Sequence, residues 1–285
     1  MPILIDGSQF LISSLMSQIK FQKDVSEDMI RHILLNSIRM YRAKFVKEYG
    51  EVVICMDNKD HWRKDVFKHY KANRKKVIAD SELNWKDIFD CMNKIRSELK
   101  EYFPYRVIDV ESAEADDIIA TMVDKFGSPL NTGEKILILS GDKDFIQLHV
   151  YGNVSQYDPV RKKWINHDDP AMFLNEHILK GDSGDGIPNV LSVSDCFVRD
   201  LRQKPLTKGT KEKLMAENAE DWTDYNAYGG YTRNRMLIDL TYIPSEIQEK
   251  IINTYEEVKP ATKQKMLNYF MEHKLKNLMD VIEEF

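Results

Sequence analysis

Four short apolar runs constrain this chain most: Ile3-Leu4-Ile5, Val52 to Met56, Arg106 to Val110 and Ile136 to Leu139. They are near-continuous rather than alternating, the pattern of strands buried on both faces. Between them lie segments with helical period. Met29, Ile33, Ile38, Tyr41 and Phe45 share one face, as do Ile88, Met92, Ile95, Leu99 and Tyr102, and then Ile118, Ile119, Met122, Val123 and Phe126. This alternation predicts an α/β fold with a mainly parallel central sheet flanked by helices. Hydrophobic residues are 42% of the 285, enough to fill such a core. After about Tyr157 the pattern weakens to a hairpin over 154–157 and 163–165. Short helices are then expected over 168–180, 211–219, 235–240, 245–256 and 263–271. A soft boundary is expected near Lys180, dividing an α/β part, 1–180, from a helical region, 181–285.

The strands run into acids. Ile5 precedes Asp6 and Met56 precedes Asp57, while Leu139 leads through Ser140-Gly141 to Asp142 and Asp144. The strand ending at Val110 leads to Glu114, Asp116 and Asp117, with Ser112 the expected N-cap of the helix that carries them. Ligands of a parallel sheet bind outside the carboxyl ends of its strands, so these acids should converge on one edge. One acid after a strand is ordinarily a cap or turn residue. Six or seven on one edge repel each other, and divalent cations relieve the repulsion. Oxygen-only donors select Mg²⁺ or Mn²⁺ over zinc, and neither HExxH nor clustered His is present. Two such ions ~4 Å apart are an arrangement that cleaves phosphodiesters. GxSxG, GxxxxGKS/T and GxGxxG are absent, against a serine hydrolase, a P-loop ATPase and a Rossmann dehydrogenase. A phosphatase or a metal-dependent aspartyl phosphotransferase stays open at this point.

The net charge of −5 argues against nucleic-acid binding by bulk charge. Cations are nevertheless concentrated in two islands. Asp57 to Lys76 holds eight Lys/Arg against three Asp, and Arg199 to Lys213 six against two acids. In the first, Arg63, Lys64, Tyr70 and Lys75 interleave cations and rings, as single-strand binding needs. The bland alternative is an amphipathic helix with Trp62, Val66 and Tyr70 packed down. Lys71 and Arg74, three apart, are placed to face a scissile phosphate together. The segment from Lys59 to Asp80 is expected to be mobile alone and to order on DNA. In the second island, Lys208 and Lys211 are expected to meet a duplex backbone. Gly181 to Pro188 reads either as a flexible turn or as the centre of a helix–turn–helix whose Asp182 and Asp185 point back to the metals. Cys55, Cys91 and Cys196 lie far apart without CxxC, which fits a reducing compartment. The N-terminal apolar run is too short for a signal peptide, and no stretch reaches the ~18 apolar residues of a membrane span. A soluble, cytoplasmic protein is expected.

Together these residues resemble the flap endonuclease and 5′-3′ exonuclease family. The matching motifs are Leu4-Ile5-Asp6-Gly7, Met56-Asp57 with Arg63 and Tyr70-Lys71-x-x-Arg74, Glu114-Ala115-Asp116-Asp117, Gly141-Asp142-Lys143-Asp144-Phe145-x-Gln147-Leu148, and Gly181-Asp182-x-x-Asp185-x-Ile187-Pro188. Within the family the chain is most similar to the ribonuclease H group of T-even-type bacteriophages, through Lys162-Lys163-Trp164, Ile178 to Asp182, Leu237-Ile238-Asp239-x-x-Tyr242-Ile243-Pro244 and the terminal Glu284-Phe285. The resemblance implies a PIN-like 5′-nuclease fold with a helical arch over about 58–83 and a DNA-binding C-terminal region. It implies cleavage of RNA–DNA hybrids and of 5′-flap and forked DNA by two Mg²⁺, replaceable by Mn²⁺. One ion would be held mainly by Asp57, Glu114 and Asp116, the other by Asp142, Asp144 and Asp185, with Asp6, Asp117 and Asp182 shared or acting through water. Lys71 and Arg74 would steady the phosphate. The resemblance also implies a monomeric phage protein acting in the host cytoplasm, with a single-strand-binding protein and a sliding clamp as partners. Two departures stand out. Asn189 and the residues after it replace the second glycine-rich turn seen in many members, which puts monovalent-ion binding there in doubt. Gln264-x-x-Leu267-x-Tyr269-Phe270 resembles a clamp-binding peptide but is one residue short, and a helix face is the expected reading.

Overall fold

All four apolar runs enter one sheet in the computed structural model, which describes residues 2–19, 26–74 and 84–285. The strands are β1 (Pro2–Asp6), β2 (Glu51–Met56), β3 (Arg106–Asp109), β4 (Ile136–Leu139), β5 (Val154–Asp158) and β6 (Lys163–Ile165). They lie side by side in the order β3-β2-β1-β4-β5-β6. The first five are parallel, and only β6 runs antiparallel, against β5. The expected hairpin is therefore an extension of the main sheet, because β5 also pairs with β4. The chain reverses its direction of spread between β1 and β4, the switch point at which parallel sheets open a crevice.

Side chains alternate across the sheet and fill two cores. Ile3, Ile5, Ile54 and Leu137 face helices α1 (Gly7–Ile19), α2 (Glu27–Tyr49) and α4 (Trp85–Tyr102). Leu4, Val53, Ile108 and Ile138 face α5 (Ala115–Gly127), with Ile118, Ile119, Met122 and Val123 of that helix buried against them. Between α2 and α4 lies the short helix α3 (Arg63–Val66).

The C-terminal helices are α6 (Pro170–Lys180), α7 (Lys208–Ala216), α8 (Tyr225–Ile238), α9 (Ser245–Glu257), α10 (Lys263–Glu272) and α11 (Lys276–Met279). They return to both cores. Ile247 and Ile251 of α9 join the α5 side, and Met266, Tyr269, Phe270 and Phe285 join the α2 side. Tyr269 and Phe270 are thus a packed helix face, with the Tyr269 hydroxyl donating to Glu98 at 2.6 Å. Cys55, Cys91 and Cys196 are all buried and free.

Two local expectations are corrected. The N-cap of α5 is Glu114, not Ser112, and Asp117 closes the cap by accepting from the Glu114 amide at 2.9 Å. Ser112 instead has φ 68°, and its carbonyl accepts from the Trp62 amide at 3.0 Å. Helix α8 begins ten residues before the expected 235, because Asp224 caps the amides of Asn226 and Ala227.

Candidate active site

The acids do meet at the carboxyl edge. Asp6 ends β1, Asp57 follows β2, Asp116 and Asp117 open α5, and Asp142 and Asp144 follow β4. Asp182 and Asp185 arrive from the loop after α6, which α8 clamps. Asn234 of α8 donates to the carbonyls of Ile178 and Pro188 at 2.8 and 2.9 Å. Gly181 has φ 67°, and a Cβ there would lie 2.4 Å from the Ile187 carbonyl, so the turn needs glycine.

Four of the carboxylates are aimed by short-range bonds. Asp6 accepts from the Gln9 amide at 3.2 Å, and Ser140 Oγ lies 3.1 Å from its other oxygen. Asp57 accepts from the Ala115 amide at 2.9 Å. Asp142 accepts from the Asp144 amide at 3.0 Å, and Asp182 accepts from the amides of Gly184 and Asp185 at 2.7 and 3.1 Å.

The electrostatics divide the acids into two groups. Burial, then the charges of Asp57 and Asp142, push Asp6 up to about 7. Burial and then Asp142 do the same to Asp144, also to about 7. Asp116 is raised well above its ordinary value by burial, then by Asp142 and Asp6. Burial raises Asp142 too, against the bond from the Asp144 amide. These groups repel one another in a low-dielectric crevice and present only oxygen donors. That donor set fits divalent cations, which hold such carboxylates ionised. Glu114 behaves oppositely. Its burial would raise it, but Lys71, Arg63 and His61 outweigh that and hold it at about 2.

Glu114 is already saturated by donors. It accepts from Arg63 Nη1 at 3.0 Å, Tyr70 Oη at 3.1 Å and Lys71 Nζ at 2.5 Å. In this arrangement it neutralises cations from the basic segment, beside the carboxylates expected to hold the metals. Asp117 is likewise engaged, by Trp62 Nε1 at 3.1 Å and Arg63 Nη1 at 2.8 Å.

The basic segment is revised. Arg63 and Tyr70, expected to contact DNA, are 2% and 4% exposed. Arg63 is locked between Glu114, Asp117 and the Leu237 carbonyl, and Tyr70 donates to Asp185 as well as to Glu114. Phe67 and Tyr70 pack on Ile178, Ile187 and Leu237, so residues 59–74 are held down on the crevice. Lys75 and the rest of the expected arch to 83 lie outside the described residues. Lys71 reaches the crevice. Its Nζ stands 3.6 Å from Asp185, and its amide donates to the Asp185 carbonyl at 2.7 Å with φ 56°. Arg74, more exposed, pairs with Asp185 from the outer side. Lys64 is exposed, and its Nζ donates to the Lys59 carbonyl at 3.2 Å. Lys208 and Lys211 line a separate cleft of 230 Å³ with Lys180 and Thr207. Lys208 is exposed, whereas Lys211 pairs with Glu176 at 2.7 Å.

Family models match both parts of the chain: the 5′-3′ exonuclease N-terminal resolvase-like domain over residues 2–177, and the T4 RNase H C-terminal region over 169–285.

The chain belongs to the 5′-3′ exonuclease family.

Among its relatives, the ribonuclease H of Enterobacteria phage T4 is 36% identical over 99% of this chain and 95% of its own length. A flap endonuclease of Shewanella woodyi is 31% identical over 56% of this chain and 63% of its own. A bacteriophage T5 flap endonuclease, solved in a complex with DNA and metal ions, shares the fold. Its TM-score is 0.62 at 17% identity, covering 90% of this chain and 99% of that one. Among the described residues, no helix is long and apolar enough to cross a membrane.

As a 5′-nuclease this protein holds site residues that the strand-end motif did not single out. Gln9 accepts from the Ser140 hydroxyl at 2.7 Å and from the Gly141 amide at 2.8 Å, fixing the turn that presents Asp142. His177, in the last turn of α6, stands between Asp144 and Asp182. Its place one turn before Gly181 is the only sequence signal it gives.

Proposed function

We propose that this chain is a Mg²⁺-dependent 5′-3′ exonuclease and flap endonuclease with ribonuclease H activity, one that removes RNA primers and adjacent DNA during lagging-strand replication. The observation that carries this reading is the crowd of buried, mutually repelling carboxylates at the sheet's carboxyl edge, with Lys71 and Arg74 on its rim. Asp6, Asp57, Asp116 and Asp142 would hold one cation, and Asp142, Asp144, Asp182 and Asp185 the other. When bound, two Mg²⁺, or Mn²⁺ in their place, supply an acidified water and neutralise charge building on the phosphate. The protein's own part is positioning. Ser140 and the Gln9 amide orient Asp6, the Ala115 amide orients Asp57, and the Asp144 amide orients Asp142. Lys71 stays protonated: burial opposes its charge, but Asp185 and Glu114 overcome it. It can then stabilise a phosphate gaining negative charge in the transition state.

Residues 1–180 would carry most of the chemistry, and residues 181–285 would lend Asp182 and Asp185 to it and add the duplex grip through Lys208 and its neighbours. The protein would act as a monomer in the host cytoplasm, with a single-strand-binding protein and a sliding clamp as replication partners. Incubation with a 5′-labelled RNA–DNA hybrid and with a 5′-flap DNA, in Mg²⁺ and in EDTA, tests the proposal. Cleavage of both only with Mg²⁺ is expected. Cleavage in EDTA, or of neither substrate, would contradict it.

A further inference from the structure

We propose that His177 supplies a nitrogen ligand to the cation held beside Asp144, with Asp182 as the acceptor that fixes its ring. This rests on the cation-dependent function proposed above and refines the donor set of that same site. His177 Nδ1 lies 3.3 Å from an Asp144 oxygen, and Nε2 lies 3.5 Å from an Asp182 oxygen. The first exceeds the roughly 2.7–3.2 Å of a good N–H···O bond and matches instead the spacing of neighbouring donors around one cation. Two donors each ~2.1 Å from a shared ion stand about 3.0 Å apart in an octahedron and about 3.4 Å apart in a tetrahedron.

The second contact supplies what a ligating imidazole requires. Such a ring normally donates its other N–H to a carboxylate, which fixes its tautomer and direction. Asp182 occupies that place and is itself immobilised. One of its oxygens accepts from the Gly184 and Asp185 amides, leaving the other turned to His177. The imidazole is also held from behind. The Phe173 ring meets it edge-on at 5.9 Å, and the Gly181 amide ties the His177 carbonyl at 2.8 Å. Asp144, His177 and Asp182 can thus offer donor atoms all within 4.8 Å of one another.

A mixed nitrogen and oxygen donor set shifts preference towards Mn²⁺, Co²⁺ and Zn²⁺ relative to Mg²⁺, because imidazole suits borderline cations better than it suits Mg²⁺. His177 would therefore set which metal this position prefers, a property distinct from whether the enzyme cleaves.

The test is pulsed electron paramagnetic resonance on the full chain loaded with Mn²⁺, alongside calorimetric titration. Imidazole-nitrogen modulation of the Mn²⁺ signal is expected in the wild type and is lost in His177→Gln. The same variant should weaken Mn²⁺ at one site by about 10-fold or more, with Mg²⁺ affinity changed much less. Bound Mn²⁺ without nitrogen modulation in the wild type overturns the proposal and leaves the proposed function standing. Modulation that survives in His177→Gln also overturns it. Failure of Mn²⁺ to bind at all removes both.

Discussion

Arg63 shows how a residue's role turns on what faces it. Interleaved cations and rings describe a nucleic-acid surface and a strap folded onto acids equally well, so the sequence did not reveal that Arg63 and Tyr70 are spent on Glu114, Asp117 and Asp185. Removing Arg63 leaves the buried Asp117 without its cation and Glu114 with Lys71 alone, so Arg63→Ala should cost about 3–5 kcal/mol in urea unfolding. Lys64→Ala, next door and exposed, should stay within about 0.5 kcal/mol of wild type. A mild effect of Arg63→Ala would mean that the pairing is not made in solution. Lys71 sits where the strap meets the crevice, and Lys71→Ala should slow single-turnover cleavage more than it weakens substrate binding. An unchanged single-turnover rate would reduce Lys71 to a binding residue. His177 was illegible for a plainer reason, since a lone histidine in a helix carries no spacing signal.

At the level of elements, β1 to β4 were legible because strands buried on both faces need unbroken apolar runs. The start of α8 was hidden because Gly229-Gly230 reads as a break. The two glycines are not equivalent. A Cβ on Gly230 would lie 2.2 Å from the Val190 carbonyl, whereas one on Gly229 meets nothing within 4 Å. Gly230→Ala should therefore push α8 off the loop that carries Asp182 and Asp185, costing roughly 1–3 kcal/mol. Gly229→Ala should instead stabilise the helix by about 0.5–1 kcal/mol. Thermal melts of the two variants check the contrast, and equal shifts would contradict the close helix–loop approach. The N-cap of α5 was misplaced by two residues for a related reason. Ser112 is the better capping type, but its carbonyl is committed to Trp62, and Glu114 takes the cap.

Across the whole molecule, the convergence of acids on one edge followed from sequence alone, whereas the role of the C-terminus in the core did not. Met266, Tyr269, Phe270 and Phe285 close the α2 side of the core, and Glu98 joins Tyr269 to Arg31 of α2. Their helical period showed an apolar face without showing what covers it. The acidic edge also predicts how pH acts on the cation-free protein. Asp6 and Asp144 take up protons below about 7 in the fold, but only below about 4 when unfolded. Between those limits the native state binds more protons, so stability falls as pH rises through that window. Melting temperature in EDTA should drop from about pH 5 to about pH 8, and Mg²⁺ at the higher pH should recover the loss. A rise over that range would show that other groups dominate. The most direct measurement is single-turnover cleavage of a 5′-labelled flap in saturating Mg²⁺ by wild type, Asp116→Asn and Asp142→Asn, with flap binding followed in parallel. Cleavage by both variants should fall to background while binding holds or tightens, because a ligand is lost and a negative charge is removed. Wild-type turnover by either variant would contradict the assignment of that carboxylate edge as the catalytic metal site.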